Sequence, residues 1–224
     1  ERILKHNVVE VIEEKSLEEK LRSGKKLRVK IGADPTAPDL HLGHVVVLDK
    51  LKEFQDLGHQ VIFLIGDFTA RIGDPSGRSK IRPILSEEEI KKNAKTYFEQ
   101  VGKILDVKKV EIRYNSEWYQ KMEVADFIKL TSNFSLWRIS ERDDFEKRRK
   151  RGIDVGYQEG AYSIMQAYDS VMLKADVEIG GTDQKFNLLA GRIVMKKLGQ
   201  VSQDVITLPL LVGLDGKKKM SKSL

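Results

Sequence analysis

Residues Leu27 to Ile65 read LRVKIGADPTAPDLHLGHVVVLDKLKEFQDLGHQVIFLI, and the fold turns on how this stretch is read. Leu27 to Ile31 has the content of a short strand, and Val61 to Ile65 is continuously apolar, as a strand covered on both faces should be. Between them a helical pattern runs from about Leu42 to Leu57 and stops at Gly58. Strand, helix and second buried strand make a βαβ unit with its strands in parallel.

The flanking sequence extends this unit on both sides. Before it, charged and apolar residues alternate at helical spacing from Ile3 to Leu21, with Ser16 as N-cap and Gly24 as stop, so short amphipathic helices are expected to open the chain. After it, Ser86 followed by three glutamates opens a helix from about Glu87 to Leu105, and Val110 to Tyr114 is a third strand. Helical segments Val124 to Arg151 and Gln158 to Leu173 follow, then a strand at Val177 to Ile179 and a helix from about Asp183 to Leu198. The expected fold class is α/β: a Rossmann-like parallel sheet forming a nucleotide-binding core, with a helical insertion after the third strand.

Composition narrows the setting. With 224 residues, 33 % charged and 40 % hydrophobic, the chain can bury a core of its own. No apolar run approaches the roughly 18 residues that span a bilayer, and the first residues are too charged for a signal peptide, so a cytoplasmic protein is expected. Zero cysteines exclude a disulfide scaffold and a cysteine-ligated zinc site. The net charge of +6 permits a polyanionic partner without identifying one.

Ligands of open α/β sheets sit beyond the carboxyl ends of the strands, so polar residues just after each strand are the ones to inspect. Three loops stand out. In Gly32-Ala33-Asp34-Pro35-Thr36-Ala37-Pro38-Asp39-Leu40-His41-Leu42-Gly43-His44, two prolines stiffen the loop and Gly43 lets a ligand approach a helix start. The histidine pair at i, i+3 caps the helix, holds a metal or meets a phosphate. Gly73-Asp74-Pro75-Ser76-Gly77-Arg78-Ser79-Lys80 is a turn with one carboxylate and then cations suited to phosphate. Lys217-Lys218-Lys219-Met220-Ser221-Lys222-Ser223, after the turn Gly213-Leu214-Asp215-Gly216, is either a solvated charge run or a cationic flap able to stabilise a departing pyrophosphate.

The elements His41-Leu42-Gly43-His44 and Lys219-Met220-Ser221-Lys222-Ser223 resemble the two signatures of class I aminoacyl-tRNA synthetases, in their usual order. Gly66-Asp67-Phe68-Thr69, Gly73 to Gly77, Gln166-Ala167-Tyr168-Asp169 and Gly180-Gly181-Thr182-Asp183-Gln184 are similar to the tyrosyl-tRNA synthetases of bacteria, and the likeness covers nearly the whole chain.

That resemblance implies activation of tyrosine by ATP, accompanied by Mg²⁺, to tyrosyl-adenylate, followed by transfer to tRNA(Tyr). It implies a homodimer and no metal site built from protein ligands. By similarity the catalytic groups are His41, His44, Thr36, Lys219 and Lys222; Gly32, Asp34, Gly43, Gly180, Asp183 and Met220 join the histidines and lysines around ATP. Asp74, Tyr162, Gln166 and Gln184 surround the tyrosine ammonium and carboxylate, and Asp169 accepts the phenolic proton. Read without the resemblance, Gln166 and Asp169 are an i, i+3 polar face of an exposed helix.

The likeness falters in two stretches. Asn133-Phe134-Ser135-Leu136-Trp137 stands where a Thr-Val-Ala-like start is common, and Asp154 to Ser163 departs from a Pro-Ile-Ser, His-Glu-Phe and Tyr-Pro arrangement, keeping Glu159 and Tyr162. The expectation is that Trp137 refills volume vacated by Gly160 and Ala161. Two other readings stay open: the same adenylation chemistry on tryptophan or a tyrosine analogue, and a non-catalytic RNA-binding descendant. The cluster Lys147 to Arg151 is either a tRNA contact or an exposed helix end. The expected layout is one catalytic domain, with N-terminal helices over about 1–26, the two halves of the core over about 27–115 and 176–224, and the helical insertion over about 116–175. Because the sequence stops at Leu224, the anticodon-binding region is expected to be absent.

Overall fold

In the computed structural model the described residues are 2–76, 85–213, 215–216 and 219–220. Six strands, β1 (Glu10–Ile12), β2 (Arg28–Ala33), β3 (Gln60–Ile65), β4 (Glu111–Tyr114), β5 (Val177–Gly181) and β6 (Asp204–Leu208), form one sheet in the order β1-β6-β5-β2-β3-β4. All pairings are parallel except that of β1 on β6. The helices are α1 (Glu14–Arg22), α2 (Leu42–Asp56), α3 (Glu87–Val101), α4 (Ser116–Tyr119), α5 (Val124–Thr131), α6 (Leu136–Ser140), α7 (Asp143–Lys150), α8 (Tyr157–Leu173) and α9 (Lys185–Lys197). Among the described residues no helix is long and apolar enough to cross a membrane.

The period of two in β3 explains the layering. Val61, Phe63 and Ile65 face a core built with Leu17, Leu48, Leu51, Phe54 and Tyr97, which come from α1, α2 and α3. Ile62 and Leu64 face the other way, against Trp118, Tyr119, Met165 and Leu173. A third cluster, Leu130, Ile164, Ala167, Val171, Ala190, Val194 and Met195, packs α8 on α9 and on the helices that follow β4.

The chain start differs from the helical expectation. Asn7 and Glu13 have φ of 52° and 65°, left-handed values that break the pattern, and between them Glu10 to Ile12 pairs with Val205 to Thr207. Here β1 covers an edge of the sheet that would otherwise expose unpaired backbone groups. The expected cap Ser16 lies inside α1. Two further features were not foreseen: β6, fully buried over Val205 to Leu208, and the division of 124–151 into α5, α6 and α7.

Trp137 does not refill a core: it is 81 % exposed, and it is Ile139 that abuts Gly160, 3.0 Å from where a Cβ would stand. Arg148, in the middle of the basic cluster, is buried and forms a two-pronged pair with Glu159 at 2.6 and 3.0 Å, reaching Asp154 O as well. It ties α7 to the start of α8 and is not a nucleic-acid contact. Glu159→Ala, which strands this guanidinium, is expected to cost about 3–5 kcal/mol in denaturant unfolding. Lys147→Ala on the exposed face should stay within about 0.5 kcal/mol.

Candidate functional site

The sheet reverses its direction of growth at β2: β3 and β4 are added on one side, β5 and β6 on the other. Pairing of β2 with β5 stops at Lys30↔Glu178, whereas β2 with β3 continues to Ala33↔Ile65. The strands therefore part toward their carboxyl ends, and Gly32, in a central strand, is exposed. A crevice at a reversal of strand order is where α/β sheets bind ligands.

The histidines stand at the mouth of this crevice and cap α2. His41 Nδ1 accepts the Gly43 amide at 3.1 Å, and His44 Nδ1 accepts the His41 amide at 3.1 Å. Acceptance at Nδ1 places the proton of each neutral ring on Nε2. A Cβ at Gly43 would lie 2.8 Å from His41 Cε1, so the glycine is what admits the cap. The helix start adds its dipole, a setting suited to phosphate. The preceding loop is held by α3, where Asn93 Nδ2 donates to Pro35 O at 3.0 Å, Tyr97 Oη to Asp34 O at 3.2 Å and Gln100 Nε2 to Pro38 O at 2.9 Å.

Deeper in, Asp34 Oδ1 accepts the Thr69 hydroxyl at 2.8 Å. Gly66 permits this, since a Cβ there would stand 2.1 Å from that oxygen. Asn115 Nδ2 donates to Thr69 Oγ1 at 2.9 Å and to Asp169 Oδ2 at 3.3 Å, and Trp118 Nε1 donates to Asp169 Oδ1 at 3.0 Å. Asp169, 3 % exposed, follows Tyr162 and Gln166 along one face of α8. Burial pushes its carboxyl up to about 7, against the pull of the Lys30 charge and of the Asn115 and Trp118 hydrogen bonds. Burial also raises the Tyr162 phenol well above its ordinary range, with Asp34, Asp74 and Asp169 adding to the shift. Gln166 Oε1 is buried with no hydrogen-bond partner among the described residues, an unmet acceptor that a ligand ammonium would satisfy.

Asp74 turns the following loop by accepting the Ser76 amide at 2.9 Å on Oδ1, and takes Gln184 Nε2 at 2.8 Å on Oδ2. Lys219 is drawn back from the lysine-rich segment onto Asp183, 2.6 Å away, in a short hairpin where Val212 bridges Lys219 and Met220 N donates to Leu211 O. Lys222, with residues 217, 218, 221 and 223, lies outside the described residues, as do Gly77, Arg78, Ser79 and Lys80.

Residues 22–224 match the family described as tRNA synthetases class I (W and Y). The chain belongs to this family. It is 57 % identical over 222 residues to a tyrosine–tRNA ligase of Thermotoga maritima, covering 99 % of this chain and 55 % of that protein. It is likewise 57 % identical over 222 residues to one from Aquifex aeolicus, covering 99 % and 57 %. The chain thus spans about half the length of the curated relatives it matches. Among solved structures, a tyrosyl-tRNA synthetase from Archaeoglobus fulgidus, complexed with L-tyrosine, superposes with a TM-score of 0.81 at 30 % identity, covering 99 % of this chain and 67 % of that one.

The expected site residues that lie among the described ones fall into three sets. Gly32, Asp34, Thr36, His41, Gly43 and His44 line the β2 side, and Gly180, Asp183, Lys219 and Met220 the β5 side. Asp74, Tyr162, Gln166, Asp169 and Gln184 form the interior. Gln166 and Asp169 are not an exposed helix face: Asp169 is buried and Gln166 half-buried. Sequence reasoning missed Thr69, Asn115 and Trp118 as partners of this interior. Asn115 follows β4 directly, so inspection of the first polar residue after that strand would have found it; Trp118 carried no such signal.

Because the folded chain holds the Asp169 proton more tightly than the ordinary carboxylate value of 3.8, this group favours folding below that pH, and the advantage is lost as pH rises through about 7. Asp169→Asn should therefore flatten the fall in stability between pH 5 and pH 8, measured by urea unfolding at both values.

Proposed function

We propose that this chain is the activating unit of a tyrosine–tRNA ligase. A tyrosine carboxylate oxygen attacks the α-phosphorus of ATP, pyrophosphate leaves, and tyrosyl-adenylate forms. The 3′-terminal ribose hydroxyl of tRNA(Tyr) then attacks the acyl carbon, and AMP departs. No protein nucleophile is required, so the chain's task is positioning and charge stabilisation. Mg²⁺ enters with ATP as part of the substrate.

The observation that carries the reading is the polar floor of the crevice. Asp169 is held by Asn115 and Trp118 on the face of α8 that carries Tyr162 and Gln166, and Tyr162 is close enough to Asp34, Asp74 and Asp169 to feel their charges. A phenolic hydroxyl donating to Asp169 leaves the amino acid's charged end beside Asp74, Tyr162, Gln166 and Gln184, and its carboxylate toward a phosphate at His41 and His44. A substrate without the hydroxyl leaves the Asp169 acceptor unmet, which costs about 1–3 kcal/mol or more for a charged group.

Gly32, Asp34, Gly43, Gly180, Asp183 and Met220 are proposed to receive the nucleotide, Thr36 the γ-phosphate side, and Lys219 and Lys222 the pyrophosphate. Lys219 must exchange Asp183 for the pyrophosphate, and a half-exposed ion pair is cheap to break. The core halves are proposed as 27–115 and 176–224, with 116–175 inserted. Val124, Ile128, Leu136, Trp137 and Tyr157 are exposed apolar side chains of that insertion, which supports a homodimer formed there. The cytoplasm is proposed as its place of action.

Exchange of labelled pyrophosphate into ATP should depend on tyrosine in a panel that includes tryptophan and phenylalanine; exchange with tryptophan instead, or none at all, overturns the reading. Lys219→Ala should slow exchange about a hundredfold with tyrosine affinity unchanged within about twofold, as expected for a group that acts on transition-state charge.

A further inference from the structure

Arg142, at the N-cap of α7, belongs to none of the motifs above and is 3 % exposed. Its guanidinium donates through Nη1 to Ser163 Oγ and Asn187 Oδ1, both at 2.6 Å. It donates through Nη2 to Ser76 Oγ at 3.1 Å and to Asp144 Oδ2 at 3.1 Å, and through Nε to Asp144 Oδ1 at 3.0 Å. These contacts use all five N–H donors of the fork, a demand that lysine cannot reproduce. The rings of Phe145 and Phe186 lie 4.9 and 5.1 Å from the guanidinium carbon.

The contacts continue into a closed ring of hydrogen bonds. Arg142 donates to Asn187, Asn187 Nδ2 to Gln184 Oε1 at 3.0 Å, and Gln184 Nε2 to Asp74 Oδ2 at 2.8 Å. Asp74 Oδ1 accepts the Ser76 amide at 2.9 Å, and Ser76 Oγ closes the circuit on Arg142. Arg142, Asn187 and Ser76 are buried at the back of the ring; Asp74 and Gln184 are half-buried at its front.

An arginine has only donors, so it dictates which end of the Asn187 amide faces it. That choice fixes the Gln184 amide, and Gln184 in turn presents its NH₂ to Asp74. Turned over, Gln184 would set an oxygen against the carboxylate. Charge is divided just as definitely: Asp144 pairs with Arg142, while within the ring Asp74 receives only neutral donors.

We infer that Arg142 is a positioning residue that orients Gln184 and Asp74, through Asn187 and Ser76, as the subsite for the ammonium group of an α-amino acid. The inference rests on the proposed role of Asp74 and Gln184 as amino-acid contacts. Ser163, where the resembling family commonly has proline, supplies one of the five acceptors.

The test compares L-tyrosine with 3-(4-hydroxyphenyl)propionate, which is tyrosine without its ammonium, by equilibrium binding to the whole protein. Arg142→Lys and Asn187→Leu should each weaken tyrosine at least tenfold while leaving the desamino compound, and KM for ATP, within twofold. Asn187→Leu leaves the Arg142–Asp144 pair intact, so it carries the test if substitution of Arg142 prevents folding. Variants of a tyrosine-binding protein that keep their preference for the ammonium, or that lose both ligands equally, overturn the inference alone. An unmodified protein that does not distinguish the two ligands overturns the reading of the pocket, and the inference with it.

Discussion

Lys30 and Glu178 meet at 2.8 Å on the last rung that joins β2 to β5, both almost fully buried. Ser170 from α8 bonds both partners, at 2.9 and 2.7 Å, and Gln203, just before β6, donates to Glu178 at 2.8 Å. Two charges out of water are tolerable only when every remaining donor and acceptor is met, and here β2, β5, α8 and the entry to β6 all contribute. Below this rung the sheet is continuous. Beyond it the strands part, and the crevice on which the site depends begins.

The walls of that crevice come from separate parts of the chain, and each is held by something else. Loop 34–40 lies under α3, the Asp34–Thr69 contact depends on Gly66, and Asp169 depends on Asn115 and Trp118. The adenylation proposed for this crevice needs no protein nucleophile and would place its whole demand on such positioning, because misplacement of reacting groups by about an ångström is costly in rate. By contrast Lys219 rests on a half-exposed ion pair with Asp183 and a single bridge to Val212, contacts that are cheap to exchange.

Much of this was legible in the chain. The strand, helix, strand pattern of 27–65 located the heart of the sheet, and the rule that polar residues just after the strands matter pointed to the loop beyond β2, where β2 and β5 part. The failures have physical causes. Helical spacing over 3–21 was real, but two residues with left-handed backbone cut it, and the free edge of β6 drew the middle piece into the sheet. Trp137 was expected to repack a core and instead stands exposed, because Ile139 already occupies the space beside Gly160. Four of the five residues of the 147–151 cluster are exposed, while Arg148 is a buried clip.

What the sequence alone determined is what local pattern encodes: a parallel α/β core, a helix that starts at two histidines after the first of the parallel strands, and a run of polar positions on one face of α8. Periodicity and loop chemistry are properties of neighbouring residues, so they can be read without coordinates. The tertiary structure decided which distant side chains meet: Asn115 and Trp118 at Asp169, 54 and 51 residues away, Gln184 at Asp74, 110 residues away, and Arg142 at Ser76 and Asn187. Such contacts depend on where the two halves of the sheet separate, a matter of strand order and buried pairing that no local pattern records.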